Sequence, residues 1–576
     1  MVIKGVVFDV GQTLSNQLDK EMLFERCKVY YGYVYDQLVA RNLQDRFPCL
    51  SSYTREEYVN DLNTLNIGVR KQKNISTEVY TEYRMSEQAI QVLVDRQNTA
   101  AGTSENREIY YDLLPVFDEI FSGREAIQQG IYELWPDTLD TLRELKRLGY
   151  QIALASNSAH PVKHEQMLEQ LGITPFIDVL VVSAYVGVRK PNPKMLEIIL
   201  ERMNLTKEEA VIVGDLLDRD VLMGNLLGVT SIWINAIPYS LDQNLKRIRE
   251  ANPQYMPKAG IVCLSQLIPT INYLNNETPE SNQVKVGYYF PHLRKKLETG
   301  KQGAFVSNSK VFYMPIELRA PIESLGNFDV IVHKVTDMML SGKPEDQEGL
   351  DNLRAYLESH PNVLLLDPLE GLRITNSRRE FLSQFNPILI ESQNITVRAP
   401  ELLTQENIKF PCIVKTNVAC QVKGSHSMAL VKNQEGLKDA FKFIYGDIVI
   451  SEWVSHLGGV YKVYVLGDEF QVTPKDSFAL DENDFILFDS AKELPSGLRM
   501  LPPVQEINEV VVEETNRHLK EFTGLGMLSY DLLIEEGTGD YVIVDLNYFP
   551  GYYTFPDYKE AMNRYILSSV NKFREN

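Results

Sequence analysis

Gly5-Val6-Val7-Phe8-Asp9-Val10-Gly11-Gln12-Thr13-Leu14 opens the chain as a short apolar run that ends on an aspartate. Its β-branched and aromatic residues predict a strand over Ile3–Val10, with Asp9 at the carboxyl end. In open α/β sheets, ligands bind in the crevice outside those ends. The sequence that follows predicts the rest of such a sheet. From about Gln17 to Tyr132, apolar residues recur at i, i+3 and i+4. This predicts helices over Glu21–Leu38, Glu56–Leu65, Ser86–Gln97 and Arg107–Phe121. Beyond them, helices expected at Leu139–Leu148, Val162–Leu171, Pro193–Met203 and Asp220–Leu227 alternate with strands at Gln151–Ala155, Val179–Val182, Ala210–Val213 and Ser231–Asn235. That alternation predicts a doubly wound parallel sheet with helices on both faces, the early helical block lying over it as an insertion.

Further polar groups fall at later strand ends, in order: Ser156-Asn157, Lys190 before Pro191, and Gly214-Asp215 with Asp220 five residues on. A lone strand-end Asp or Ser is as readily a helix cap. Four such positions, each on its own βα unit, form a constellation that resembles the haloacid dehalogenase (HAD) superfamily over about residues 1–275, with a helical cap at about 17–132. The resemblance implies that Asp9 is a nucleophile forming an aspartyl-phosphate. It implies that Ser156 hydrogen-bonds the phosphoryl oxygens, that Lys190 balances their charge, and that Asp9, Asp215 and Asp220 hold Mg²⁺. One position departs from the pattern. HAD phosphatases usually carry a second Asp two residues after the nucleophile as general acid/base, and here Gly11 stands there. Glycine offers a backbone carbonyl but moves no proton, and that help is typically worth roughly 10²–10⁴-fold. Two readings stay open: a slow or altered phosphatase, and a non-catalytic phosphate-binding module.

The polar stretch Asn275-Asn276-Glu277-Thr278-Pro279-Glu280-Ser281-Asn282 reads as a linker, placed at 276–283, with a second domain over 284–576. Near its end, Met527–Ile534 and Tyr541–Asn547 read as two strands joined by the turn Gly537-Thr538-Gly539-Asp540. They would present Asp531, Asp545 and Asn547 together, three hard oxygen donors suited to Mg²⁺ on nucleotide phosphates. Alone, the same pattern is equally a pair of carboxylates beside a turn. Upstream, Phe410-Pro411-Cys412-Ile413-Val414-Lys415 is a strand ending in a lysine suited to phosphates. Val449-Ile450-Ser451-Glu452-Trp453-Val454 is a strand running into a hinge whose backbone could pair with adenine.

These are the parts of an ATP-grasp fold in their usual order. Within it the chain resembles the inositol 1,3,4-trisphosphate 5/6-kinase family over nearly all of about 284–570. The runs that carry the resemblance include His333-Lys334-Val335-Thr336-Asp337, Asp367-Pro368-Leu369 with Arg373, and Asp545-Leu546-Asn547-Tyr548-Phe549-Pro550-Gly551-Tyr552. By that resemblance Lys415 and Arg373 contact ATP phosphates. Ser451, Glu452, Trp453 and Val454, with Ser477, form the nucleotide site. Asp531, Asp545 and Asn547 bind Mg²⁺. Lys334, His426 and Lys462, with Arg294, Lys295, Asn547 and Gly551, face the inositol phosphate. Two features depart from the family: the loop Cys420–His426 carries bulky Gln421 and Val422, and Lys475 stands where an arginine is usual, losing bidentate geometry.

Composition bounds the partners. The 576 residues hold 58 Lys and Arg against 78 Asp and Glu, a net charge of −20. Nucleic acid or an anionic membrane would call for the opposite sign, so neither is expected. A local cluster of Lys, Arg and His can still hold an anionic metabolite. Cys27, Cys49, Cys263, Cys412 and Cys420 are odd in number and form no CxxC pair, as expected of reduced thiols in a cytoplasmic protein. The expected fold is therefore α/β, a HAD-like sheet with a helical cap followed by an ATP-grasp domain. The expected activity is ATP- and Mg²⁺-dependent phosphorylation of an inositol phosphate. Three alternatives stand beside it: a bifunctional kinase and phosphatase, a kinase regulated by a HAD-like scaffold, and an ATP-grasp ligase.

Overall fold

The computed structural model describes residues 2–17, 20–75, 85–122, 132–158, 161–235, 238–276, 283–291, 304–404, 406–418, 427–456, 458–479, 485–489, 498–503 and 506–575. The chain folds as two compact units that divide near residues 277–278.

In the first unit a six-stranded sheet runs Val179–Val182, Gln151–Ser156, Gly5–Phe8, Ala210–Gly214, Thr230–Ile234, Ala259–Ile261. All neighbours are parallel. Successive side chains point to opposite faces. Val6, Phe8, Ile152, Leu154, Val211 and Val213 enter one core, and Val7, Ala153, Ala155 and Ile212 enter the other. Burial on both faces explains why these strands read as continuous apolar runs. The chain order reverses on either side of Gly5–Phe8, which puts the crevice of the sheet beside Asp9. The edge strand Ala259–Ile261 escapes sequence reading because three residues with a central glycine carry no period.

The helical insertion is stemmed by an antiparallel pair, Ser15–Gln17 with Tyr132–Leu134. Its helices Lys20–Ala40, Arg55–Ile75, Met85–Ala101 and Leu114–Ser122 contribute to a core of Tyr30, Tyr31, Phe47, Tyr53, Tyr58 and Phe117. The helix expected over Arg107–Phe121 is instead a 3₁₀ segment, Arg107–Leu113, followed by Leu114–Ser122. Pro115 has no N–H to continue a helix and is tolerated only in a first turn. Likewise Asp220–Leu227 begins as a π-helical turn, Leu217–Val221, before Leu222–Leu227.

The second unit starts with a parallel sheet, Val311–Pro315, Val284–Tyr289, Val330–His333, Leu364–Leu366. A second, mixed sheet runs Ile388–Ile390, Ile395–Arg398, Tyr541–Tyr548, Met527–Ile534, Val460–Leu466, Glu469–Lys475. A third, antiparallel sheet runs Leu402–Leu403, Ile448–Glu452, Cys412–Thr416, Ser427–Val431, Phe485–Asp489. The hairpin between Met527–Ile534 and Tyr541–Tyr548 forms as its sequence predicts, with Gly537 and Gly539 at φ +92° and +75°, conformations that L side chains rarely adopt.

Candidate active sites

The first site lies at the carboxyl end of the parallel sheet. The Asp9 backbone N–H donates to the carbonyl of Val213 at 2.9 Å, and Thr13 Oγ1 donates to Asp9 Oδ2 at 3.3 Å. Lys190 is buried, and its Nζ lies 2.5 Å from Asp9 Oδ1 and 2.7 Å from Asp220 Oδ1. Asn157 fixes the lysine from behind: its Oδ1 accepts from the Lys190 N–H at 2.9 Å, and its Nδ2 donates to the Lys190 carbonyl at 3.1 Å. Burial works against the ammonium, but Asp220 and Asp9 outweigh it and hold Lys190 above the usual lysine range. Burial in turn pushes the Asp220 carboxyl up, against the pull of Lys190. A side chain at Gly214 would collide with Asp220, so glycine is what lets that carboxyl reach the lysine. The Asp215 loop is pinned through its carbonyl, which accepts from Trp233 Nε1 at 3.1 Å and Asn244 Nδ2 at 2.8 Å. Ligand atoms of Asp9, Asp215 and Asp220 all lie within 4.8 Å of one another, and that donor set fits a hard divalent cation. Ser156 closes the strand Gln151–Ser156 and is buried. His164, in the helix Pro161–Gln170, was not singled out from sequence. Its Nε2 is buried without a hydrogen-bond partner, and burial pushes the imidazole down to about 4, against the field of Asp9 and with that of Lys190.

The second site is built on two strand pairs. Asp531 faces Asp545 across one, and Lys462 faces Asp531 across the other. Lys462 Nζ donates to Asp531 Oδ1 at 3.0 Å, and Asn547 Nδ2 donates to Asp545 Oδ2 at 2.8 Å. Arg378 Nε reaches Asp545 Oδ1 at 3.2 Å, while its NH1 donates to the carbonyls of Thr416 at 2.8 Å and Val418 at 3.1 Å. Burial would raise the Asp545 carboxyl, but Arg378, Lys415, Asn547 and Lys462 hold it down at about 2. Lys415 Nζ donates to the carbonyl of Val544 at 2.9 Å, and burial, helped by Arg378, lowers it to about 8 despite Asp545 and Asp531. Two carboxylates and the Asn547 amide fit a divalent cation in donor type. A cleft lined by Thr375, Arg378, Lys415, Val449, Val544 and Asp545 opens beside them.

The hinge is held from several sides. Glu452 N–H donates to the Glu401 carbonyl at 3.0 Å, and Trp453 N–H to that of Pro411 at 3.2 Å. His456 hydrogen-bonds the Val454 carbonyl through Nδ1 and Ser477 Oγ through Nε2, both at 2.8 Å, so Ser477 braces the hinge. Arg398 ties Glu452 Oε1 to Glu535 Oε1, 2.6 Å from each. Ser451 is buried in the strand Ile448–Glu452. Lys334 Nζ donates to the Phe549 carbonyl at 2.7 Å, which sets it beside the Pro550-Gly551 turn.

The structure sets Arg373 and Arg378 in different surroundings. Arg373 is exposed on the helix Leu369–Asn376, whereas Arg378, five residues on, is buried against Asp545. Ser377 ends that helix and caps the next by accepting from the Glu380 N–H at 3.2 Å, which turns Arg378 inward. Lys475 ends the edge strand Glu469–Lys475 and is exposed. Arg294, Lys295 and His426 lie outside the described residues.

Comparison with known proteins accords with this geometry. Residues 3–228 match the haloacid dehalogenase-like hydrolase family, 285–372 the inositol 1,3,4-trisphosphate 5/6-kinase pre-ATP-grasp domain, and 384–568 the ATP-grasp domain of the same kinase. The inositol-tetrakisphosphate 1-kinase of Xenopus laevis is 28% identical over 319 residues, which is 50% of this chain and 79% of that protein. The Danio rerio protein of that name is 26% identical over 315 residues, 49% of this chain and 78% of its own. Inositol-tetrakisphosphate 1-kinase 6 of Oryza sativa subsp. indica is 25% identical over 367 residues, 55% of this chain and 66% of its own. Similar solved structures include a HAD phosphatase from Thermococcus onnurineus, at 20% identity and a TM-score of 0.27, covering 46% of this chain and 96% of that one. A 2-haloacid dehalogenase from Pseudomonas syringae pv. Tomato DC3000 covers 47% and 98%, at 20% identity and a TM-score of 0.30. The chain thus carries a haloacid dehalogenase-like hydrolase domain in its N-terminal half and, in its C-terminal half, the pre-ATP-grasp and ATP-grasp domains of the inositol 1,3,4-trisphosphate 5/6-kinase.

Proposed function

We propose that the C-terminal half transfers the γ-phosphoryl group of ATP to a hydroxyl of an inositol phosphate, in the cytoplasm. The observation that carries this reading is the alternation of charge around Asp545, with Arg378, Lys415 and Lys462 set against Asp545 and Asp531. Phosphoryl transfer asks a protein chiefly for positioning and for charge placed where it develops. Lys415 and Arg378 supply cationic donors to nucleotide phosphates, and the hinge Glu452–Val454 lays a backbone edge along adenine. Lys462, and Lys334 beside the Pro550-Gly551 turn, receive the phosphates of the inositol. Asp531, Asp545 and Asn547 would hold Mg²⁺, which when bound neutralises charge on the phosphates. The inositol hydroxyl oxygen bonds to the γ-phosphorus as the bond to the β-γ bridging oxygen breaks, leaving ADP, and the hydroxyl proton leaves to solvent. The test is incubation of the full chain with ATP, Mg²⁺ and a panel of inositol phosphates. Product is expected from at least one of them and none from Asp545→Ala. Equal product from that variant, or none from either chain, overturns the proposal.

A second reading concerns the N-terminal half, and the cluster of Asp9, Asp215, Asp220 and Lys190 favours it. In it, Asp9 attacks a phosphate ester, with Ser156 and Lys190 on the phosphoryl oxygens and the three carboxylates as the seat of Mg²⁺. Phosphate release lost in Asp9→Asn, with kinase activity kept, is the expected result.

A further inference from the structure

A methyl group placed on Gly11 meets no described atom within 4 Å, and Gly11 is not among the residues at positive φ. Neither a turn nor a close approach demands glycine here. The Cβ of an aspartate two residues after the nucleophile would meet no described atom, so neither strain nor a close approach accounts for the glycine, and its consequence is chemical.

The described groups that touch or feel Asp9 are few. Lys190 shares its protons between Asp9 and Asp220. Asp215 and Asp220 belong with Asp9 to one carboxylate cluster. Thr13 offers a hydroxyl at 3.3 Å. His164 offers a buried Nε2 that makes no hydrogen bond with the protein. Among the described residues, no carboxylate outside the metal-type cluster touches Asp9. The two halves of a phosphatase cycle suffer unequally from this. In the first, an Asp9 oxygen bonds to phosphorus as the ester P–O bond breaks. A phenolate leaving group departs without needing a proton. In the second, a water oxygen bonds to phosphorus, the bond from phosphorus to the Asp9 oxygen breaks, and the water must give up a proton. General base help belongs to that second step.

We propose that the N-terminal half takes a phosphoryl group onto Asp9 from a phosphate monoester whose leaving oxygen departs as the anion, and retains it, the aspartyl-phosphate accumulating because position 11 carries no proton-transferring side chain. The proposal rests on the reading of Asp9 as a nucleophile. It makes this half a phosphoryl-holding domain whose turnover is limited by water attack.

The test uses the full chain, Mg²⁺ and para-nitrophenyl phosphate, followed by rapid quench. Nitrophenolate should appear in a burst of about one per chain and then slowly, the kinetic mark of an accumulating covalent intermediate. The quenched chain should carry one phosphoryl group, mapped to Asp9 by mass. Gly11→Asp should speed the slow phase by roughly 10²–10⁴-fold and abolish the adduct. Gly11→Asn, nearly the same shape but unable to shuttle the proton, should leave the slow phase and the adduct as they are. Linear release without adduct, silenced by Asp9→Asn, overturns retention while the nucleophile stands, and loss of that behaviour in His164→Gln would name the histidine as the base. A slow phase unmoved by Gly11→Asp, or raised equally by Gly11→Asn, overturns the role of position 11. No release and no adduct, or release indifferent to Asp9→Asn, overturns the nucleophile and the proposal together.

Discussion

Lys190 and Lys415 are both buried, yet their surroundings drive their protons in opposite directions. Lys190 lies between two carboxylates and is held above the usual lysine range, whereas Lys415 donates to a carbonyl, has Arg378 for a neighbour and is lowered to about 8. Burial penalises both ammonium groups alike. What differs is whether the counter-charge is supplied by the protein or left to a ligand. In the first site Lys190 is already neutralised by protein carboxylates and would have to give up or rearrange one of those contacts to receive a phosphoryl group. The second keeps cationic capacity in reserve for phosphates that arrive with their own negative charge.

The largest expected effect tests that difference directly. Lys190→Met leaves Asp9 and Asp220 facing each other without their cation, and breaking a buried pair on one side costs about 3–5 kcal/mol. Lys415→Met removes a buried charge that has no carboxylate partner in hydrogen-bond range, while Arg378 still compensates Asp545. Its stability should stay level or rise, and kinase turnover should fall roughly 10²–10³-fold, as when one transition-state donor is lost. Denaturant unfolding and kinase assays of the two variants measure this, and equal destabilisation by both would erase the distinction.

Acid–base behaviour sharpens the same comparison. Between about 8 and the ordinary lysine range, unfolded Lys415 carries a proton that the folded residue lacks, so its contribution to stability rises with pH across that window. Below about 8 both states are protonated and the cost of burial is felt in full. The advantage of Lys415→Met should therefore be greatest near neutral pH and fade as pH climbs above about 8. Over that same rise, wild-type affinity for ATP should fall, since a neutral amine no longer attracts phosphate. Lys190 runs the other way. Its pKa is raised, so its stabilisation is complete below the usual lysine range and is lost as pH rises through its folded value. Thermal unfolding of the full chain and both variants across that pH range tests the two signs.

How much of each site is visible in sequence follows from what places each group. Asp9, Ser156 and Asp215 stand at or just beyond strand ends, and strand ends are marked by apolar runs that stop; Lys190 instead lies past the short helix Ser183–Val186 that follows the strand Val179–Val182, so its place is not a strand end as the sequence suggests. Asp531, Asp545 and Asn547 are equally plain, because a glycine turn fixes the register of a hairpin. Arg378 is not. Arg373, Arg378 and Arg379 are all near at hand in sequence, and only the interruption at Ser377 decides which faces the acids. Arg398 is less visible still, since its partners Glu452 and Glu535 stand 54 and 137 positions away in the sequence and meet it only through folding. His164 could have been suspected from its place just after a strand-end serine, but its orphaned Nε2 belongs to the packing alone.

Arg398 carries a prediction of intermediate size. It joins the hinge strand of one sheet to the end of Met527–Ile534 in another, so Arg398→Met releases Glu452 and sets it near Glu535 without a cation. The ion pairs are only partly buried, and exposed pairs contribute up to about 1 kcal/mol. KM for ATP should rise up to about fivefold with kcat little changed, and Arg398→Lys should restore part of the loss. A fall in kcat at unchanged KM would detach Arg398 from nucleotide binding.

The smallest effect concerns the two glycines, and it sets the halves side by side once more. A side chain at Gly551 would run into the ring of Tyr553, whereas one at Gly11 meets no described atom. Tyr553 is itself exposed and can swing aside, so the collision is with a movable ring and not with backbone. Gly551→Ala and Gly11→Ala should therefore both change unfolding stability by less than about 0.5 kcal/mol, as surface substitutions usually do. They should part in function. Gly551 stands two residues from the Phe549 carbonyl that receives Lys334, so a displaced Tyr553 would crowd the inositol side and raise KM for the inositol phosphate several-fold, roughly the 1 kcal/mol of a single crowded contact. Gly11→Ala should leave the kinase untouched and the slow step at Asp9 unaltered, because a methyl group moves no proton. A Gly551→Ala chain that loses more than about 1 kcal/mol of stability would mean that Tyr553 is held in place, and the turn would then be a packed element of the fold and not an adaptable wall of the site.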